Sequence, residues 1–196
     1  MLKIGLTGGL GSGKTTVAAI FEVLGMPVYY ADDASKKIMN ENKNVKAAVQ
    51  NAFGNRVYPN GKLDRKLLAE KVFKDEKKLQ LLNSIVHPAT LQDANEWIKK
   101  QQSIYIIKEA ALIFESGSNK MLDYVIGVKA PLQLRLQRAM ERDNISKDQA
   151  MTRINKQMNE EKKMSLCDYI IINDEQQMLI PQVLALHEKF LHLNKK

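Results

Sequence analysis

Eight residues, Gly8-Gly9-Leu10-Gly11-Ser12-Gly13-Lys14-Thr15, match the pattern G-x-x-x-x-G-K-[ST] in full and constrain the fold more than any other feature. At average residue usage this pattern arises by chance in under about 1% of chains this long, so chance is a poor explanation. Glycines let the backbone turn several N–H groups toward one anion, and a following helix adds the positive end of its dipole. The context the motif requires is also present. Leu2 to Thr7 is a short apolar run, and Thr15 to Leu24 carries helical periodicity through Val17, Ile20, Phe21 and Leu24. The expected phosphate-binding residues are Gly8, Gly9, Leu10, Gly11, Ser12, Gly13, Lys14, Thr15 and Thr16. Lys14 suits the β and γ phosphates, and the Thr15 hydroxyl suits Mg²⁺.

Gly25 stops the first helix, and Met26 to Tyr30 reads as a second strand ending in Ala31-Asp32-Asp33. Helical patterns follow over Ala34 to Asn40, Val45 to Phe53, Arg65 to Phe73 and Glu76 to Lys100, broken by the turn Pro59-Asn60-Gly61. Ile104 to Ile107, Tyr124 to Val128 and Tyr169 to Ile172 are three further strands, apolar enough for a buried parallel sheet. Between the last two lie Leu132 to Asp143 and Ser146 to Met164, a charged helical pair with arginines at 135, 138, 142 and 153. It reads as a lid or as a solvated hairpin. Met178 to Leu193 is an amphipathic helix that covers the sheet.

The chain has 196 residues, 44% hydrophobic and 27% charged, which suits one compact domain rather than a disordered segment. Its formal charge of +8 suits nucleic acid, an acidic membrane face or a charged small anion. The doublets Lys36-Lys37, Lys77-Lys78 and Lys162-Lys163 lack interleaved aromatic residues and read as solvated helix faces, so nucleic acid is not an expected partner. Cys167 is the only cysteine, which rules out an intrachain disulfide and reads as a small core residue. The first residues go straight into a strand, without the charged head and apolar run of a signal peptide, and no run nears the roughly 20 apolar residues of a membrane span. A soluble cytoplasmic protein, monomeric or weakly self-associating, is the expectation.

Loops of this kind serve kinases, motor ATPases and GTP switches, so other residues must choose among them. The Asn-Lys-x-Asp of guanine-specific switches is missing: Asn42-Lys43-Asn44-Val45 and Asn155-Lys156-Gln157-Met158 both lack the aspartate. Asp32 follows the carboxyl end of a strand, on the same side of the sheet as the phosphate loop, where an acceptor hydroxyl can bind and lose its proton. A helix N-cap, supplied by Asp32 or Asp33, is an equal reading of that position. Glu109, just past the third strand, is either a Mg²⁺-supporting acid or a surface acid, and Glu115 is a weaker candidate. Arg138 and Arg142 share a helical face and either stabilise charge on a transferring phosphoryl group or form surface salt bridges with Glu141 and Asp143.

Taken together these stretches resemble the dephospho-coenzyme A kinase family nearly end to end. The resemblance rests on Gly5-Leu6-Thr7-Gly8-Gly9-Leu10-Gly11-Ser12-Gly13-Lys14-Thr15-Thr16, on Val28-Tyr29-Tyr30-Ala31-Asp32, and on Leu63-Asp64-Arg65. It continues through Leu82-Asn83-Ser84-Ile85-Val86-His87-Pro88, Glu109-Ala110-Ala111-Leu112-Ile113-Phe114-Glu115, Arg138 to Asp143 and Cys167 to Asn173. Three departures stand out: Tyr30 replaces an aspartate, Ala111 replaces a proline, and Asp174-Glu175 replace a glycine turn. His87, ahead of a proline, reads as structural, with coenzyme contact as the alternative.

The resemblance implies an α/β P-loop kinase fold: a five-stranded parallel sheet flanked by helices, with a helical acceptor-binding insertion and a helical lid. It implies a core of 1-32, 103-130 and 166-196, an acceptor subdomain of 33-102 and a lid of 131-165. It also implies ATP and dephospho-coenzyme A as substrates and Mg²⁺ as cofactor, with Asp32 as base, Arg138 and Arg142 as charge stabilisers, and Thr15 and Glu109 at the metal. A nucleoside or nucleotide kinase on the same scaffold, or a nucleotide-dependent binding module, are the alternatives.

Overall fold

The computed structural model describes residues 1–73 and 75–193. The chain divides into two compact units, one of Met1–Tyr30 with the chain from Gln101 on, the other Ala31–Lys100. The first unit is built on five strands: β1 (Leu2–Gly8), β2 (Val28–Tyr30), β3 (Tyr105–Glu109), β4 (Tyr124–Lys129) and β5 (Tyr169–Ile172). All pairings are parallel and the order is β2-β3-β1-β4-β5, which puts the phosphate-loop strand in the centre. A parallel sheet must be covered on both faces, which accounts for strands that read as apolar runs.

Its helices are α1 (Lys14–Val23), α6 (Leu132–Asp143), α7 (Lys147–Asn155), α8 (Glu160–Ser165) and α9 (Leu179–Leu193), numbered with the second unit's helices α2 (Ala31–Glu41), α3 (Lys43–Phe53), α4 (Arg65–Phe73) and α5 (Glu76–Lys99). The main core joins Ile4, Leu6, Ile107, Ile126, Val128 and Ile171 of the sheet to Val17 and Phe21 of α1 and to Val183 and Phe190 of α9. Phe190 makes ring contacts with Tyr105, Tyr124 and Tyr169, so α9 covers the sheet as its amphipathic pattern predicts. Strand entry is set by aspartates: Asp123 Oδ2 accepts from Lys3 N at 2.6 Å, and Asp168 Oδ2 accepts from Val125 N at 2.8 Å.

The helical unit has its own core, of Ile38, Val45, Val49, Phe53, Val57, Tyr58, Leu68 and Val86 among others. Asn42 caps α3 and Asp75 caps α5 through their side-chain oxygens. The turn read at Pro59-Asn60-Gly61 is a 3₁₀ turn in which Asn60 takes φ 53°. Pro88 lies inside α5 rather than ending it, and His87 beside it is exposed, so no buried packing supports a structural role for that histidine. Among the described residues, no helix is long and apolar enough to cross a membrane.

Several boundaries differ from those read in the sequence. The second helix starts at Ala31, directly after β2, so Asp32 and Asp33 are first-turn residues of α2 and not caps of a helix starting at Ala34. Carboxylates suit that turn equally well, because they face the positive end of the helix dipole. The third strand extends to Glu109, which is therefore its last residue. The segment Ser146 to Met164 is two helices, because the Asn159 side chain accepts from Lys162 N and starts α8 anew. Cys167 is only partly buried, and its Sγ donates to Lys163 O at 3.2 Å.

Candidate active site around the phosphate loop

The turn from β1 into α1 is the geometry a phosphate loop requires. Ser12 N donates to Gly9 O at 3.1 Å, closing the loop, and Val17 N donates to Gly13 O at 3.1 Å, opening the helix. Gly11 and Gly13 have φ 76° and 90°, a left-handed region that costs other residues roughly 1–2 kcal/mol. Close packing fixes them as well: a Cβ on Gly11 would run into the Arg135 carbonyl, and one on Gly13 into Asn173 Nδ2. Lys14 Nζ donates to Gly8 O at 3.1 Å and to Gly9 O at 3.3 Å, so the ammonium group lies over the loop, while the Thr15 and Thr16 positions are exposed.

Among the described residues, the buried Ser12 Oγ has no hydrogen-bond partner. An orphaned buried hydroxyl is costly unless a ligand satisfies it. Its place beside Gly8, near the Lys14 side chain whose Nζ binds the Gly8 carbonyl, fits a phosphate oxygen.

The helices after β4 supply the next layer. Leu10, Met140 and Ile154 pack against a cluster of Leu136, Ala139 and Ala150, so the charged segment has a small apolar core that includes the loop's own tip. Its position therefore differs from that of a purely solvated hairpin. Arg135 is 3% exposed, donates from Nε to Leu10 O at 3.1 Å and pairs with Glu160. Leu10 N in turn donates to Gln157 Oε1 at 2.9 Å. In the sequence Arg135 is one of four arginines in this segment, and no local signal marks Gln157.

Arg138 and Arg142 are both on α6 but meet different partners. Arg138 Nη2 donates to Asn173 Oδ1 at 3.3 Å and to Glu175 Oε1 at 3.0 Å. Glu175 occupies a left-handed conformation, φ 65°, after an Asp174 side chain that accepts from Gln176 N and Gln177 N. That is how this chain makes a tight turn there without glycine. Arg142 binds Asp143 through Nε at 2.8 Å and Nη2 at 3.1 Å, and Arg153 reaches the same carboxylate. The hydrogen bond to Asp143 holds the Arg142 guanidinium above its ordinary pKa, with the negative charge of Glu109 adding to it. Of the surface pairs expected with Glu141 and Asp143, only Arg142 with Asp143 is present among the described residues: Arg138 meets Glu175 instead, and Glu141 accepts from Gln137 Nε2. Arg142 also lies in the field of Glu109.

Glu109 is 5% exposed, which removes the surface-acid reading. Glu115 instead serves the framework: its Oε1 accepts from Met158 N at 2.9 Å and from the buried Lys163 Nζ at 2.9 Å. Lys163 also donates to Ala111 O at 2.8 Å, and Thr7 Oγ1 donates to the same carbonyl at 3.3 Å. Among the described residues no three His, Cys, Asp or Glu side chains cluster. The Thr15 hydroxyl and the buried Glu109 carboxylate are oxygen donors of the kind that suits Mg²⁺, an ion that keeps several waters and takes phosphate oxygens for the rest.

The family described as Dephospho-CoA kinase matches residues 2–178 of this sequence. The chain belongs to the dephospho-CoA kinase family. A relative of that name from Bacteroides fragilis is 39% identical over 186 residues, covering 94% of this chain and 91% of the relative. Among solved structures, a protein of Thermus thermophilus superposes with a TM-score of 0.86 at 30% identity, covering 97% of this chain and 96% of that one. A dephospho-CoA kinase from Campylobacter jejuni superposes with a TM-score of 0.67 at 27% identity, over 95% and 96% of the two chains. The kinase is therefore an ATP-using transferase with an alcohol acceptor, built on a five-stranded parallel sheet.

Proposed function

We propose that this kinase transfers the γ-phosphoryl group of ATP to the ribose 3′-hydroxyl of dephospho-coenzyme A, giving coenzyme A and ADP, the final step of coenzyme A biosynthesis. The observation that carries the donor half is the phosphate loop, with Lys14 Nζ on the Gly8 carbonyl and a buried Ser12 hydroxyl that has no partner among the described residues. The family match carries the acceptor half.

In this reading the loop amides and Lys14 bind the β and γ phosphates and hold them in line for transfer. Thr15 holds Mg²⁺, with Glu109 as a supporting acid at the end of β3; bound there, the ion neutralises charge on the phosphate oxygens. Asp32 accepts the proton of the ribose hydroxyl. Its support is the resemblance around Val28 to Asp32 and its place two residues beyond β2, a strand parallel to β1 through the sheet. Arg138 and Arg142 exchange their present carboxylate partners for the transferring phosphoryl oxygens, which carry spread negative charge in the transition state.

The helical unit 31–100 binds the acceptor, and residues 131–165 act as the lid. The +8 charge suits two polyanionic ligands in a soluble cytoplasmic enzyme. A panel of acceptors with ATP and Mg²⁺ tests the assignment. Product from dephospho-coenzyme A, and none from nucleosides, nucleoside monophosphates or shikimate, is the expected result; the reverse pattern overturns it.

A further inference from the structure

Three side chains outside the phosphate loop bind its main chain from the outside. Arg135 Nε donates to Leu10 O at 3.1 Å, Asn173 Nδ2 donates to Ser12 O at 2.8 Å, and Gln157 Oε1 accepts from Leu10 N at 2.9 Å. They come from α6, from the residue after β5, and from the joint between α7 and α8. A trans peptide is planar, and its C=O and N–H point in opposite directions. Fixing one therefore aims the other.

The consequences differ for each peptide unit. With the Leu10 carbonyl held by Arg135, the Gly11 N–H is directed to the opposite side. With the Ser12 carbonyl held by Asn173, the Gly13 N–H is directed likewise. Holding the Leu10 N–H at Gln157 turns the Gly9 carbonyl the other way, and there it accepts from Ser12 N and Lys14 Nζ. A glycine-rich loop has the freedom to flip any of these peptides, so something must select among the orientations.

We infer that Arg135 and Asn173 are positioning residues that aim the Gly11 and Gly13 amides at the phosphates of the donor nucleotide, with Gln157 setting the Gly9 carbonyl. The inference rests on the reading of the loop as the ATP site. Both residues are built for such a task. Arg135 is 3% exposed and anchored by Glu160, whose other oxygen is buried and has no partner among the described residues; Asn173 is 8% exposed. The loop also packs directly on them: a Cβ on Gly9 would strike the Arg135 guanidinium, and one on Gly13 would strike the Asn173 amide. Asn173 Oδ1 accepts from Arg138 as well, so the arrangement links the loop to that arginine. A hydrogen bond from a correctly aimed amide to a charged phosphate is worth about tenfold in affinity or more.

The test uses the full chain labelled with ¹⁵N-glycine, which carries ten glycines, and inorganic tripolyphosphate and adenosine as separate probes. In the parent protein the Gly11 and Gly13 amide signals move on adding tripolyphosphate. In Asn173→Ala the Gly13 response is lost while Gly11 keeps its own. In the double variant Arg135→Met with Glu160→Gln, which removes both charges of the pair together, the pattern is reversed. Each variant binds tripolyphosphate about tenfold more weakly and adenosine unchanged. A general loss of packing cannot produce this crossed pattern. Should one of the two fail to fold, the other still decides for its own glycine. Should tripolyphosphate leave both glycines of the parent unmoved, the reading of the loop as the ATP site fails and takes this inference with it. If the parent responds and the variants retain both responses, only the positioning role is overturned.

Discussion

Lys163 Nζ lies 2.9 Å from Glu115 Oε1, and the lysine side chain is 1% exposed. Burial disfavours ionisation of Glu115, but the hydrogen bonds from Lys163 and from Met158 N outweigh it and hold its pKa below the usual carboxylate value. The pair ties the loop after β3 to α8, and the Met158 N–H bond to the same carboxylate holds the segment that carries Gln157.

Removing one partner strands the other. Glu115→Gln leaves a buried ammonium without its counter-charge and should destabilise the fold by about 3 kcal/mol, the low end for a broken buried pair, because the Glu115 side chain keeps 22% exposure. The sign of the pH dependence follows. A carboxyl whose folded pKa is depressed contributes stability that is complete above its unfolded value and is lost as pH falls through the folded one. Denaturant unfolding should therefore show a constant gap between parent and Glu115→Gln at pH 6 to 8, closing below about pH 4.5. A gap that persists in acid would show that the contact matters for packing and not for charge.

Asp32→Asn tests the base. The substitution keeps size and hydrogen-bonding shape in the first turn of α2, so turnover should fall by about 10²- to 10⁴-fold while ATP affinity is retained. Near-normal turnover would reduce Asp32 to a residue that favours the helix dipole.

How much of this could be read from the sequence depended on the range of the interaction. The phosphate loop was legible because Gly11, Gly13, Lys14 and Thr15 act through main-chain geometry a few residues long. The sheet was legible because strands buried on both faces are apolar throughout. Glu109 falls two residues beyond the strand read from the sequence because Lys108 and Glu109 interrupt that apolar run, although the pairings Leu6 with Glu109 and Tyr30 with Glu109 carry the strand through them. The contacts of Arg135 with Leu10 and of Asn173 with Ser12 span 125 and 161 residues, and nothing local to either residue signals them. Glu175 gave a partial signal: it departs from the family's glycine turn, and in the structure it adopts the left-handed backbone itself while its carboxylate pairs with Arg138.

The thiol of Cys167 offers a check on the packing beneath β4. Burial, helped by the charge of Asp168, pushes its pKa up to about 11. At neutral pH almost no thiolate is present, and thiolate is the reactive form. Iodoacetamide should modify the folded protein far more slowly than the denatured chain at pH 7.5, with the rate still rising at pH 9 to 10. Rapid modification at neutral pH would mean that α8 leaves β4 readily.

Gly13→Ala and Gly117→Ala separate backbone strain from steric conflict. Both glycines have a left-handed backbone, φ 90° and 69°. Among the described residues nothing lies within 4 Å of a Cβ added at Gly117, so alanine there should cost only the conformational term, about 1 kcal/mol in unfolding free energy, with catalysis unchanged. At Gly13 the added methyl meets Asn173 Nδ2, the group that holds the Ser12 carbonyl. Relief requires moving either Asn173 or the loop, and both displace the Gly13 amide from its bearing on the phosphates. ATP affinity should therefore fall by more than about tenfold in Gly13→Ala, a loss that strain alone does not explain. Pairing Gly13→Ala with Asn173→Ala removes the steric conflict but also the carbonyl contact, so it should recover stability without recovering affinity. Thermal unfolding and ATP titration of the three variants measure the two quantities separately. Recovery of affinity in the pair would mean that the loop finds its phosphate-binding form without Asn173.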